Sequence, residues 1–92
     1  MPKLPLDPDI ADTAPSDPMP TPYDHEHVII YLRLLAADSE GAEWQEVARI
    51  VLRIDPEFEP ERARRAFDSH LARAKWMTEE GRLLRGHMPT LN

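Results

Sequence analysis

The stretch RIDPEFEPERARRAF, residues Arg53 to Phe67, sets the architecture of this chain. One helix ends before Asp55, because the residue preceding a proline is driven out of helical geometry. Another begins at Pro60, since proline suits the first helical position. Two helices joined by a turn, with arginines on the second, are typical of DNA-binding helix-turn-helix domains. Yet acidic residues occupy the turn where a DNA phosphate would approach, at Asp55, Glu57, Glu59 and Glu61.

The helices on either side of this turn show apolar periodicity. The second helix is predicted from about Ala42 to Arg53, and the third from Pro60 to a stop at Gly81. The turn between them, Ile54 to Glu59, has about six residues and is longer than the three or four usual in this motif. The positions expected to face the core are Trp44, Val47, Ala48, Val51 and Leu52 in the second helix, and Ala63, Ala66, Phe67, His70, Leu71, Ala74 and Met77 in the third.

A first helix is predicted from Pro22 to about Ala37. Thr21 is a candidate N-cap, and Asp24 follows three residues later, as in a capping box. This helix is apolar on two sides, so it needs two covering partners. The first stripe, expected to face the core, comprises Val28, Ile29, Leu32, Leu35 and Ala36; the second stripe comprises Tyr23, His27, Ile30, Leu34 and Ala37.

The residues before this helix differ in composition. Residues 1–22 contain seven of the ten prolines, four aspartates and no aromatic residue. Such a segment buries too little surface to offset its ordering entropy, and serves either as a docking arm or as a solvated leader. We therefore expect a disordered tail over 1–21, a helix-turn-helix-like domain over 22–86 and a frayed C-terminus over 87–92. The predicted fold class is all-α, a three-helix helix-turn-helix variant with an extended turn.

Composition limits the class of protein. A chain of 92 residues fits one small domain, and without cysteine it has neither disulfides nor thiolate metal ligands. Its longest apolar run, Val28 to Leu32, is far shorter than the roughly 20 residues that cross a bilayer, and no basic and apolar leader opens the chain, so we expect a cytoplasmic protein with no membrane partner. The 17 acidic and 11 basic residues give a net charge of −6, which disfavours nucleic acid.

The outward side of the third helix allows two interpretations. In one, Arg62, Arg65, Arg73 and Trp76 read DNA; in the other, the arginines form a solvated face paired with Glu61, Asp68 and the acids of the turn. Residues 59–75 contain five bases and three acids, a balance of +2, whereas residues 41–57 contain two bases and four acids. Because single phosphate contacts are weak and salt-sensitive, neighbouring acids favour the solvated face.

The segment from Asp24 to Gly86 resembles a known family. The strings EWQEVARIVL, ERARRAFDSHLARAKWMTE and LLRG, taken as a set, are similar to small regulatory domains of proteobacterial integrative and conjugative elements, formerly classed as of unknown function. Within that family the chain is most similar to the QseM-like antiactivators, solitary domains that restrain element transfer. The resemblance covers about two-thirds of the chain.

The resemblance implies an extended-turn helix-turn-helix domain. In activators of this family, the domain uses a basic side for DNA and its opposite side to hold an N-terminal companion domain. We expect the present chain to carry the proline-rich tail in place of such a companion, and its acidity departs from the DNA-binding members. The resemblance therefore implies that the chain binds the activator's companion domain in place of the activator's own copy. It also implies a LuxR-type quorum-sensing regulator as a second target.

The second stripe of the first helix is the candidate docking face, with Tyr23, His27, Ile30 and Leu34 as anchors. Aromatic and aliphatic anchors carry most of the energy of protein interfaces. The alternative is that Leu83, Leu84 and Trp76 fold over this stripe as core. The sequence leaves both possibilities open.

Catalysis and ligand binding find little support. His25 and His27 point about 200 degrees apart on a helix and do not converge on a metal. His70 lies on the apolar stripe of the third helix and is interpreted as a hydrogen-bonded core residue. The three glycines are dispersed, so no phosphate-binding loop is present, and no nucleophile has an evident base beside it. We therefore expect no enzyme, no cofactor and no small-molecule substrate.

Overall fold

A computed structural model describes residues 10–81, with side chains described as far as Glu79. This part of the chain is all-α, as predicted, and contains no strand. Its helices are α1 (Pro22–Glu26), α2 (Val28–Ser39), α3 (Trp44–Val47) and α4 (Pro60–Trp76), and π-helical turns extend α3 over Ala48–Leu52 and α4 over Met77–Gly81. Leu83, Leu84 and the predicted frayed C-terminus lie outside the described residues.

The predicted first helix is divided at His27. Thr21 caps α1, and Thr21 and Asp24 form the predicted capping box. His27 has φ −113° and ψ 21°, so α1 ends there and α2 begins at the next residue. The His27 ring stacks on Tyr23 with a centroid separation of 3.7 Å, and its Nδ1 donates to the Tyr23 carbonyl at 2.7 Å. The apolar periodicity continues across the division and gave no sign of it.

The second helix is shorter than predicted, beginning at Trp44 and ending with the π-helical turn at Leu52. Arg53 takes the left-handed conformation, with φ 62°, directly after it. Residues 53–59 then connect to α4. Within this turn Asp55 Oδ1 accepts the Glu57 N–H at 2.9 Å, and the Asp55 carbonyl accepts the Glu59 N–H at 2.9 Å. The acidic turn is therefore held by its own hydrogen bonds.

The core lies between α2, the α3 region and α4. Its buried residues include Val28, Ile30, Tyr31 and Leu34 of α2, Val47, Ala48 and Leu52 of the α3 region, and Ala63, Ala66, His70, Ala74 and Met77 of the α4 region. The predicted inward faces of the second and third helices are confirmed, with Trp44, Val51, Phe67 and Leu71 packed half-buried at their edges. Alanines at three of the α4 positions allow the neighbouring helices to approach closely.

Residues 10–20, called the N-terminal segment below, lie against α4. They form no helix or strand, as their composition predicts, but the structure differs from the expected disorder over this part of the tail. Ala14 is buried, and its N–H donates to Ser69 Oγ at 3.0 Å. The physical reason is that polar groups on α4 supply hydrogen-bond partners to the backbone of the segment, which its composition does not reveal.

Candidate functional site

A buried ion pair between α1 and α4 forms the centre of the site. Asp24 has no exposed surface, and Arg73 is 5% exposed. The Arg73 guanidinium donates from Nη2 to Asp24 Oδ2 at 2.7 Å and from Nε to Oδ1 at 3.1 Å. Paired N–H···O bonds of this kind set both the position and the orientation of a planar guanidinium. The pair therefore fastens the start of α1 to α4.

Further donors surround the Asp24 carboxylate. The Tyr31 hydroxyl donates to Oδ1 at 2.6 Å, and the Thr21 N–H and hydroxyl donate to Oδ2 at 2.7 and 3.0 Å. Burial by itself raises the pKa of Asp24, but the hydrogen bonds from Arg73, Tyr31 and Thr21 outweigh it and lower the pKa to about 2. Burial and the bond to Asp24 raise the pKa of Tyr31. Near neutral pH the carboxylate is thus charged and the phenol neutral.

The other edge of Arg73 holds the N-terminal segment. Its Nη1 donates to the Asp17 carbonyl at 2.7 Å, and its Nη2 donates to the Met19 carbonyl at 3.1 Å. The guanidinium also lies over the Trp76 ring, with 4.2 Å between Cζ and the ring centroid, a cation–π contact. One arginine thereby connects α1, α4 and the N-terminal segment.

A groove of about 530 Å³ runs between the N-terminal segment and α4. From the segment it is lined by residues 13–18, and from α4 by Ser69, Ala72, Arg73 and Trp76. At one end of the segment, Arg62 Nε donates to Asp12 Oδ1 at 2.7 Å. The segment therefore crosses the side of α4 that was predicted to face outward.

His70 and Tyr23 tie the same segment to the core. His70 Nδ1 lies 2.7 Å from the Ala66 carbonyl, which can only accept, so Nδ1 carries the proton. Nε2 then accepts from the Tyr23 hydroxyl at 2.6 Å, and this hydroxyl accepts the Ala11 N–H at 3.0 Å. Burial lowers the pKa of His70 and raises the pKa of Tyr23. The interpretation of His70 as a hydrogen-bonded core residue is confirmed.

The four residues of the DNA-binding alternative do not form one open face. Arg73 is buried on Asp24, which corrects the expectation that it reaches outward. Arg62 contacts Asp12 and also pairs with Glu59 at 3.1 Å, while Trp76 is half-buried; Arg65 is exposed. Anionic and carbonyl groups of the chain itself thus occupy two of the three arginines. Arg64 likewise pairs with Asp68 at 3.1 Å, in agreement with the solvated-face interpretation.

The predicted docking face is also corrected, because the second stripe belongs to the core. Ile30, Leu34 and His27 are each at most 2% exposed, and Tyr23 is half-buried with its hydroxyl on His70. The cover over this stripe includes α4, against which α2 packs. Ile29 and Ala36 of the first stripe are exposed instead. Val28 of the first stripe is buried, and Leu32 and Leu35 are partly buried against the core, so the inward side of α2 combines the second stripe with part of the first.

Sequence reasoning missed the Asp24–Arg73 pair and assigned Arg73 to the wrong side. Arg73 lies three residues after buried His70 and four before buried Met77, so its spacing placed it beside the inward stripe. Its charge argued against burial in the absence of a known partner. Reasoning also missed two exposed apolar residues, Ile50 in the π-helical turn before Arg53 and Phe58 near the end of the acidic turn.

The described residues offer no evident metal centre. Within residues 10–81, no cluster of three or more histidine and acidic side chains is placed to hold a metal ion. Nor does this range include a helix with the length and apolar character needed to cross a bilayer.

Comparison with known proteins adds no assignment: no protein-family model matches this sequence, and no curated protein matches it.

Proposed function

We propose that this chain is a protein-binding antiactivator. It binds the N-terminal companion domain of a transcriptional activator in the cytoplasm and represses excision and conjugative transfer of an integrative and conjugative element. A LuxR-type quorum-sensing regulator is the proposed second partner. Both partners rest on the resemblance of Asp24 to Gly86 to the regulatory domains of such elements.

The observation that carries this proposal is the exposure of large apolar side chains around the acidic turn. Phe58 is 86% exposed and Ile50 is 65% exposed. Exposed aromatic and aliphatic side chains supply the anchors of protein interfaces, whereas binding to a DNA backbone depends on cations. Phe58 and Ile50 therefore replace the buried second stripe as the proposed anchors.

The charge around Phe58 favours a partner with basic groups. Glu57 and Glu59 flank it directly, and the chain as a whole carries −6. Opposite charges around an apolar contact accelerate encounter and disfavour wrong partners. The proposed partner surface is accordingly an apolar pocket with a basic rim.

The outer side of α4 supports DNA binding less well than the exposed apolar side chains support protein binding. The N-terminal segment covers part of it, Arg73 is held by Asp24, and Arg62 is held by Asp12 and Glu59. A surface that binds a duplex must gather several cations without adjacent acids.

Replacement of Phe58 by alanine tests the proposed interface. We expect the affinity of the full chain for the purified companion domain, measured by isothermal titration calorimetry, to fall by about 30-fold or more, because an interface aromatic of this kind contributes about 2 kcal/mol or more. Ile29→Ala is the matched control, since it removes another exposed apolar side chain, and it should change the affinity by less than about threefold.

Two results would contradict the proposal. Absence of binding between the unsubstituted chain and the companion domain would reject the antiactivator function, and equal affinities for Phe58→Ala and the unsubstituted chain would reject this interface. Fluorescence polarisation with duplex DNA from the element's promoters provides the third arm. Saturable binding at about 50 mM salt that is lost at higher salt would favour the DNA-binding alternative.

A further inference from the structure

The N-terminal segment is bound to α4 in the manner of a peptide ligand. Most of its side chains are exposed; Ala14 is buried and Ile10 is partly buried against the core. Its attachment comes largely from backbone groups, namely the Ala14 N–H on Ser69 and the Asp17 and Met19 carbonyls on Arg73. A segment held this way buries little apolar surface, so it separates from the helix at smaller cost than a core element.

The receiving side of α4 is supported independently of the segment. Arg73 is positioned by the two hydrogen bonds that it donates to Asp24 of α1. Ser69 Oγ is positioned by donating to the Ala66 carbonyl of its own helix at 3.3 Å. Because these contacts do not involve the segment, we expect both groups to keep their places when it leaves. Arg73 Nη1, which donates to the Asp17 carbonyl, can then donate to another acceptor.

We propose that this side of α4 is a binding site for an extended acidic peptide of another protein, and that residues 10–20 occupy the site as an internal competitor. The inference does not depend on the antiactivator function. Binding of the external peptide releases the N-terminal segment, because both use the same donors and acceptors on α4.

The bound segment defines the chemistry of the ligand. An acidic side chain at the position of Asp12 meets Arg62, a small residue at the position of Ala14 fits the buried site beside Ser69, and two nearby carbonyls accept from Arg73. Pro15 and Pro18 line the same groove as Trp76, and prolines hold a peptide in the extended form that aromatic grooves bind. The ligand class is therefore an extended, proline-containing peptide with at least one acid.

Release of the segment in the full chain allows a direct test. Ala14→Arg places a large charged side chain in the buried position and should free this side of α4. The probe is a fluorescein-labelled peptide with the sequence of residues 10–20, IADTAPSDPMP, and binding is followed by fluorescence anisotropy. If the segment fills the site at least nine-tenths of the time, the Ala14→Arg chain binds the probe at least about tenfold more tightly than the unsubstituted chain.

Ala36→Arg is the matched control, since it makes the same substitution at an exposed position of α2 and should leave probe affinity unchanged. Far-UV circular dichroism shows whether Ala14→Arg folds. If it does not, Asp12→Lys is a second variant that should release the segment, and it changes an exposed position. It should also tighten probe binding, because the lysine repels Arg62.

A charge exchange identifies the binding register. In the Ala14→Arg chain, Arg62→Glu should lower the affinity for the unmodified probe by about fivefold. A probe that carries Asp12→Lys should restore the affinity of this Arg62→Glu variant. The proposal is overturned if a folded releasing variant binds the probe no better than the unsubstituted chain. It is also overturned if the unsubstituted chain sediments as a dimer that Ala14→Arg converts to a monomer, because the occupant is then a second copy of this chain.

Discussion

A single side chain, Arg73, links the three parts of the chain that meet at the site. Its guanidinium donates to Asp24 on α1 and to the Asp17 and Met19 carbonyls of the N-terminal segment. Removing either member of a buried ion pair leaves the other charge without compensation in a medium of low dielectric constant. The position is therefore sensitive to substitution even though the pair itself gives a modest net stabilisation.

We expect Arg73→Met to lower the free energy of unfolding by about 3–5 kcal/mol, because it strands the charge of Asp24. Urea unfolding followed by far-UV circular dichroism measures the loss. Arg65→Met, on the exposed side of the same helix, should change the free energy by no more than about 0.5 kcal/mol. Similar losses in the two variants would show that the Asp24 pair does not matter to the fold.

Helix α2 is apolar on two sides, and a buried hydrogen bond helps to determine which side faces the core. Ile30 is 1% exposed, whereas its neighbour Ile29 is 45% exposed. Tyr31, which is fully buried, helps to explain the choice, because its hydroxyl must reach the Asp24 carboxylate. A buried hydroxyl without a partner is costly, so this hydrogen bond favours the observed rotation of the helix.

The two adjacent isoleucines give a matched pair of variants on α2. Ile30→Ala should cost about 2–5 kcal/mol of unfolding free energy, because it leaves a cavity in the core. Ile29→Ala should cost less than about 1 kcal/mol, since much of that side chain already contacts solvent. Urea unfolding of both variants measures the difference. Equal losses of unfolding free energy would contradict the burial of Ile30 and the exposure of Ile29.

For the chain taken together, two buried titratable groups, His70 and Asp24, lower the stability of the fold as the pH falls below neutral. The folded pKa of His70 is lowered from 6.5, so its contribution is complete above pH 6.5 and is lost as the pH falls below that value. The folded pKa of Asp24 is about 2 instead of 3.8, so its contribution is present above pH 3.8 and is lost as the pH falls towards 2. Acid therefore weakens the fold in two stages.

We expect the free energy of unfolding to decrease below pH 6.5 with a His70 contribution of at most about 1.4 kcal/mol per pH unit. His70→Gln should reduce this slope between pH 6.5 and 5, whereas Gln45→Ala, which changes an exposed residue without a titratable group, should leave it unchanged. Urea unfolding at a series of pH values supplies the measurement. An equal slope in His70→Gln and the unsubstituted chain would show that His70 does not cause this pH dependence.

Local signals determined a large part of this fold from the sequence. Thr21, Pro22 and Asp24 marked the start of the first helix, and Pro60 marked the start of α4. The period of α4 identified its core positions and the role of His70, because a helix that packs on one side repeats its apolar residues every three or four positions. These features depend on residues close together in the chain.

Only the tertiary structure decided which side of α2 is buried, that Arg73 is a core residue and where the N-terminal segment lies. Periodicity shows that a helix face is apolar, but not which surface covers it. The burial of Arg73 depends on Asp24, which is 49 residues away, and the segment depends on polar groups of α4 that are more than 50 residues away. A buried charge or a bound backbone is stable only beside its partner, and folding alone brings such distant partners together.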